Sequence, residues 1–200
     1  MKKLLLFISL LSISVSTYSY NIKYLEGFYN LYVESFYGYP HDVNRNIFYL
    51  KSALSAPFSN PLYAIAKIED EIHWEKYRYL MYMHINLKLV DSFLQLANSL
   101  DKHNAYFYNA PWKEYNIKSL NEAEKYYLEA KKYWVDALEW SSLANADKFM
   151  FLYVEDIITF EDESFMIENG DLDYNKIIDK HLKRLNEVRT KFENMDENTY

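Results

Sequence analysis

Residues 119–144 read SLNEAEKYYLEAKKYWVDALEWSSLA, and their spacing decides the fold class. Ala123, Ala130, Ala137 and Ala144 recur every seven residues, flanked by Tyr127, Tyr133, Trp134 and Trp140. Seven residues are two turns of a supercoiled helix, so one face carries small side chains that let a second helix approach closely. Ser119-x-x-Glu122 fits a capping box, in which the two side chains satisfy otherwise unpaired backbone N–H groups, and it predicts a helix start near Ser119. Outward from this stretch, breakers are scarce: the 200 residues hold only 3 Gly and 4 Pro, against about 12% of average usage. A many-stranded sandwich or barrel needs more turn residues than that. With 50% hydrophobic, 18% aromatic and 26% charged positions, the composition is that of a packed globular chain.

The few breakers mark intervals that read as helices. Residues 21–37 carry an apolar stripe at Tyr24, Leu25, Phe28, Tyr32 and Phe36, and Asp42 can cap a short helix through Leu54. Ser59 or Asn60, with Pro61 in the first turn, opens a pattern that meets no breaker until about Leu100, either as one long helix or with a kink or second start inside it. After a connection over 101–111 and the helix from Ser119, residues 149–167 form an apolar, acid-interrupted segment. Asp173 caps a last amphipathic helix bearing Ile178, Leu182, Leu185, Val188 and Phe192. The expectation is all-α: a single domain of about six helices over residues 20–193, built either as tetratricopeptide-like helical hairpins or as an irregular helix bundle, with a flexible tail at 194–200. Ala123-x-x-x-Tyr127-x-x-Ala130 has the spacing of the second half of a tetratricopeptide repeat. Pro111 interrupts where the first half belongs, and Val135 replaces the closing Pro.

The N-terminus reads as a signal peptide over residues 1–19. Lys2 and Lys3 precede an apolar run from Leu4 to Val15, and small residues follow at Ser14 to Ser16 and at Thr17 and Ser19. Twelve helical residues span about 18 Å, short of a hydrocarbon core of about 30 Å. Export to the periplasm is therefore expected, with no membrane span after cleavage. The chain without these 19 residues has 20 basic and 29 acidic residues, a formal charge of −9 that repels nucleic acid and anionic lipid.

Catalytic and cofactor motifs are missing. No G-x-G-x-x-G or G-x-x-x-x-G-K-[ST] occurs, and zero Cys removes thiolate nucleophiles and Cys-ligated metal. Ser99-x-x-Lys102 lacks the elements that accompany a serine–lysine pair in penicillin-binding enzymes. His73 and His84 share a helix face, with Asp70 one turn before His73, but three helical turns, more than about 16 Å, keep them from sharing one ion. Asp171-x-Asp173-x-Asn175 begins like a calcium loop, yet Lys176 stands where Gly is needed and Leu182 where Glu is needed. No enzyme activity, metal or cofactor is expected.

Two stretches are candidate binding surfaces. Tyr106, Phe107, Tyr108 and Trp112 place four rings in one connection, where they either line a groove for a partner or plug the end of the bundle. Glu161, Asp162 and Glu163 centre an acidic run that either is a solvated face or attracts a basic partner.

Residues 60–69 (NPLYAIAKIE), 84–88 (HINLK), 105–114 (AYFYNAPWKE) and 123–127 (AEKYY) resemble exported helical proteins of spirochaetes. These are similar to tetratricopeptide-like components of the periplasmic flagellar apparatus, including its collar. The resemblance covers about residues 58–145 and implies a scaffold or assembly role whose partners are other envelope or flagellar proteins; it implies no catalytic residues. The alternative is a periplasmic ligand-binding accessory protein with an aromatic-lined pocket, for which a cavity of at least about 300 Å³ is the mark.

Overall fold

The computed structural model describes residues 21–196 and Thr199. Six helices form among them: α1 (Leu25–Gly38), α2 (Val43–Ser55), α3 (Glu71–Leu100), α4 (Lys113–Ala144), α5 (Ile158–Glu168) and α6 (Tyr174–Glu193). Short 3₁₀ turns occupy Pro61–Tyr63, Phe107–Trp112, Asp147–Phe149 and Glu155–Ile157, and no strand occurs among the described residues. The expected signal peptide lies outside the described residues.

The expected caps at Asp42 and Asp173 are present: their carboxylates accept from the Arg45 and Lys176 N–H groups. Of the other helix starts, the second start left open after Asn60 is present, and the one expected near Ser119 is displaced. Asn60 caps only one 3₁₀ turn, and the long helix starts afresh at Glu71, where the Asp70 carboxylate accepts from the His73 N–H at 2.8 Å. The α4 helix begins six residues before Ser119, at Lys113. The Ser119 hydroxyl is spent on the Leu100 carbonyl at 2.7 Å, tying the two long helices together rather than capping one of them. Phe149 to Ile167 is not one segment: two 3₁₀ turns precede α5, and Gly170, at φ +76°, then lets the chain reverse so that Asp171 N–H reaches the Met166 carbonyl at 2.9 Å.

At 1.5 Å per residue, α3 and α4 are about 45 and 48 Å long. They lie antiparallel. Ring contacts run from Phe93 on Tyr133 to Tyr82 on Trp140, and Lys148, just past α4, reaches Glu75 near the start of α3. The buried positions of α4 are Asn116, Leu120, Ala123, Tyr127, Ala130, Trp134, Ala137, Ser141 and Ala144, alternating steps of four and three. That is a strict heptad seam in which alanines seat beside Tyr127 and Trp134, so the close approach expected of the alanine face is real. Each long helix is nearly as long as a whole 34-residue tetratricopeptide repeat, and the architecture is the irregular bundle of the two expected forms. The α6 helix runs antiparallel along α4, with Tyr174 on Trp134, His181 on Tyr127 and Arg189 on Glu124. At the chain end Met195 is buried, and its carbonyl accepts from the Lys113 ammonium at 2.9 Å.

Between Leu80 and Leu94, α3 is buried on nearly every side. A helix in that position must be covered all round. The α4 helix covers one flank, α1 and α2 cover another, and α5 crosses beside them. Where α1, α2 and α5 meet over α3, the cover is incomplete, and a cavity remains.

A candidate ligand cavity beside His84

The cavity has a volume of about 430 Å³. Its floor is made by Tyr29 and Tyr32 from α1, Asn46 from α2, His84 and Ser92 from α3 and Phe160 from α5, all buried. Phe36, Tyr37, Asp91, Gln95 and Thr159 stand exposed at its mouth. Helical spacing brings the polar groups of α3 to this side: Lys88 lies four residues after His84, and Asp91 and Ser92 lie three and four after Lys88.

A chain of hydrogen bonds crosses the floor. The Tyr29 hydroxyl lies 2.9 Å from His84 Nε2, and His84 Nδ1 lies 2.5 Å from Glu163 Oε2. Glu163 Oε1 in turn accepts from the Lys88 ammonium at 3.0 Å. Phe160 stacks flat on the imidazole, with centroids 3.6 Å apart and planes within 10°. Burial pushes the His84 imidazole below its ordinary pKa and so keeps it neutral. Burial also pushes the Glu163 carboxyl up, but His84 and Lys88 outweigh that effect and hold it below the usual range. A neutral ring beside a carboxylate fixes the tautomer: Nδ1–H donates to Glu163, and Nε2 accepts from the Tyr29 hydroxyl. Burial raises the Tyr29 phenol far above its ordinary pKa, so it stays protonated, is a poor nucleophile and keeps its proton for His84 Nε2. The arrangement is suited to holding a molecule in a fixed pose.

One buried group in the floor is unspent. Asn46 is only 2% exposed, and its Oδ1 has no hydrogen-bond partner among the described residues. A buried amide oxygen without a donor costs about 1–3 kcal/mol, and this one is closed off from the cavity surface as well.

The match with the family described as "Domain of unknown function (DUF8513)" covers residues 72–195, more than half of the chain. The chain belongs to this family. No curated protein and no solved structure matches it. The DUF8513 stretch runs from the first turn of α3 to the buried Met195, so it contains His84, Lys88, Asp91, Phe160 and Glu163. Tyr29, Tyr32 and Asn46 come from α1 and α2, which precede it. The cavity is thus closed by helices from outside the DUF8513 stretch against polar groups from within it.

The residues singled out from sequence fall in three different settings. Tyr106, Phe107, Tyr108 and Trp112 share the 3₁₀ turn before α4 and are 50%, 63%, 49% and 59% exposed; the Tyr106 and Tyr108 rings stack at 5.3 Å. About half or more of each ring is open to solvent, and none of the four lines the cavity. The acidic trio is divided by the turn of α5. Glu161 pairs with the buried Lys76 at 2.7 Å and accepts from the Val154 N–H, Asp162 faces solvent, and Glu163 belongs to the cavity. His73 caps back onto Asp70, Ser99 donates to the Leu96 carbonyl, and no group of three or more His, Asp or Glu among the described residues could hold a metal ion.

Sequence reasoning missed Tyr29, Asn46 and Asp91. The signal that could have found them is His84 itself, a lone imidazole in the otherwise apolar run from Leu80 to Leu87 that also includes Asn86. A second groove, about 520 Å³, lies between Lys76, Met150, Tyr153 and Phe165. Its buried ammonium is already engaged by Glu161 and the Leu152 carbonyl.

Proposed function

We propose that this is an exported helical protein that binds a small organic molecule in the cavity beside His84. The observation that carries the reading is the cavity itself, about 430 Å³, with a fixed Tyr29–His84–Glu163 chain in its floor. Ligand sites are concave, mostly apolar and furnished with a few placed polar groups, and this one has that composition. The volume exceeds the 300 Å³ mark, although the rings that line it are not those of the connection before α4. The charged start, apolar run and small residues of 1–19 support export.

The test is native mass spectrometry of the protein purified gently from its own source, beside a Val33→Trp variant in which the indole fills the cavity. A bound mass present on the first and absent from the second is expected. Identical spectra with no bound mass would remove the reading.

A second reading has its own support. The exposed rings of Tyr106, Phe107, Tyr108 and Trp112 form a compact aromatic patch of the kind that anchors protein interfaces. Together with the resemblance to components of the periplasmic flagellar apparatus, that patch supports a role as an assembly protein among envelope or flagellar partners. The two readings use opposite features of the molecule and are compatible with each other.

A further inference from the structure

Resting on the ligand-binding reading above, we infer that the cavity takes an organic ammonium ion: a cationic N–H donor carried on an apolar or aromatic body. Three observations converge on this class. The first is the charge balance. The charged groups lining the cavity are Lys88, Asp91 and Glu163, and Lys88 is bound to Glu163 at 3.0 Å. Asp91 makes no ion pair among the described residues and holds only the neutral Tyr174 hydroxyl. With His84 neutral, Lys88 balances one of the two carboxyls; burial raises the pKa of the other, Asp91, and a cation bound beside it is what would hold it ionised. The second is the hydrogen-bonding sense of Asp91: its carboxylate accepts from the Tyr174 hydroxyl and has lone pairs left for a further donor, which an ammonium ion supplies. The third is the wall. Tyr29, Tyr32, Phe36, Tyr37 and Phe160 surround this space, and ring faces attract a cation by about 0.5–2 kcal/mol each when they are presented to it.

Alternatives of other charge fit less well. An anion would meet Asp91 at the mouth and find the one ammonium group already bound to Glu163. A bare metal ion would find no cluster of three or more ligating side chains among the described residues.

The experiment uses three ligands of one shape and different charge, phenethylammonium, 2-phenylethanol and 3-phenylpropanoate, titrated into the full chain and followed by NMR shift changes. Phenethylammonium should bind at least about tenfold more tightly than the alcohol, and the carboxylate should bind weakest, because a charge-assisted hydrogen bond contributes about 1.5–3 kcal/mol. Asp91→Asn should weaken the ammonium ion about tenfold, and Lys88→Met should tighten it, since that change raises the negative charge of the cavity. A loss of packing cannot produce opposite signs in two neighbouring variants, and Asp162→Asn on the solvent face should change nothing.

Tightest binding by the carboxylate or the alcohol overturns the cation inference and leaves the cavity reading standing, provided Val33→Trp abolishes it. Ammonium binding that ignores both Asp91→Asn and Lys88→Met also overturns the inference. Absence of all binding overturns it as well, and the native mass spectra then decide whether the ligand reading falls with it.

Discussion

Two places on α3 assemble a phenol, an imidazole, a carboxylate and a cation, and they differ in what lies beside them. Near the middle of the helix these are Tyr29, His84, Glu163 and Lys88; at its C-terminal end they are Tyr127, His181, Asp101 and Arg184. In the second set, the Tyr127 hydroxyl lies 2.8 Å from Asp101 Oδ2 and 2.9 Å from Asn98 Oδ1, His181 stacks on the Tyr127 ring, and the Arg184 guanidinium donates to both Asp101 and His181. Asp101, Tyr127 and His181 are all engaged within the set, and neither of the cavities described above reaches them. In the first set, the same groups face about 430 Å³ of space. Residue type is alike in the two places, while the bonding differs: the imidazole bridges phenol and carboxylate in the first, and the phenol bonds the carboxylate directly in the second. The space beside them separates a structural knot from a candidate site.

The comparison can be broken by stability measurements. The Asp101 side chain is 1% exposed, against 23% for Glu163, while their cations are equally exposed. Removing the cation should therefore cost far more at the knot. Arg184→Met is expected to lose about 3 kcal/mol, the usual scale for stranding a buried charge. Lys88→Met should lose less than about 1 kcal/mol, because water from the cavity reaches the carboxylate. Urea unfolding of the two variants measures both. Equal losses would mean that the cavity cluster is as structural as the knot.

Acidification sharpens the same contrast at a smaller scale. Burial first, then Arg184, also lowers the pKa of His181, so both histidines are neutral in the folded chain. Below the unfolded value of about 6.5, the unfolded chain takes up protons that the folded chain refuses, and stability falls. Glu163, whose folded pKa is depressed, adds a second loss as pH drops through the carboxylate range. His84→Gln should flatten the fall between pH 7 and 5 by no more than one proton, about 1.4 kcal/mol per pH unit at the limit. The slope due to His181 should remain. A slope unchanged in His84→Gln would mean that His84 titrates freely and does not hold the neutral tautomer that the cavity chain requires.

What was legible in the sequence was whatever depends on spacing within one element. The alanine heptad, the caps at Asp42 and Asp173, the turn at Gly170 and the all-α class all follow from neighbours along the chain. Local pattern failed where a local signal had a stronger distant claimant. Ser119 matches a capping box, yet its hydroxyl bonds Leu100 across the hairpin. In and just before α1, the stripe turned out to run through Leu25, Tyr29 and Tyr32, with Tyr24 and Phe36 exposed, because Tyr29 is turned toward His84 of α3 and Phe160 of α5. The cavity was the least legible feature of all. Tyr29 and His84 are 55 positions apart, and His84 and Glu163 are 79 apart. The void that gives them meaning belongs to no residue.

The aromatic connection tests the opposite limit, a cluster fully visible in sequence whose role rests on exposure alone. Trp112 is 59% exposed and lies just before the first turn of α4, so its removal uncovers little of the core. Trp112→Ala should shift stability by no more than about 0.5 kcal/mol, the ordinary range for a surface position. Circular dichroism melts of the full chain check this, and crosslinking in the native envelope should lose specific partners in the same variant. A fall of several degrees in Tm would mean that the indole packs against the hairpin end, as the packing alternative requires. An unchanged Tm with unchanged crosslinks would leave Tyr106, Phe107 and Tyr108 to carry any docking without it. An interface anchored on Trp112 must combine the two outcomes, stability kept and partners lost, because a ring that is half in water contributes to the fold mainly through what else comes to cover it.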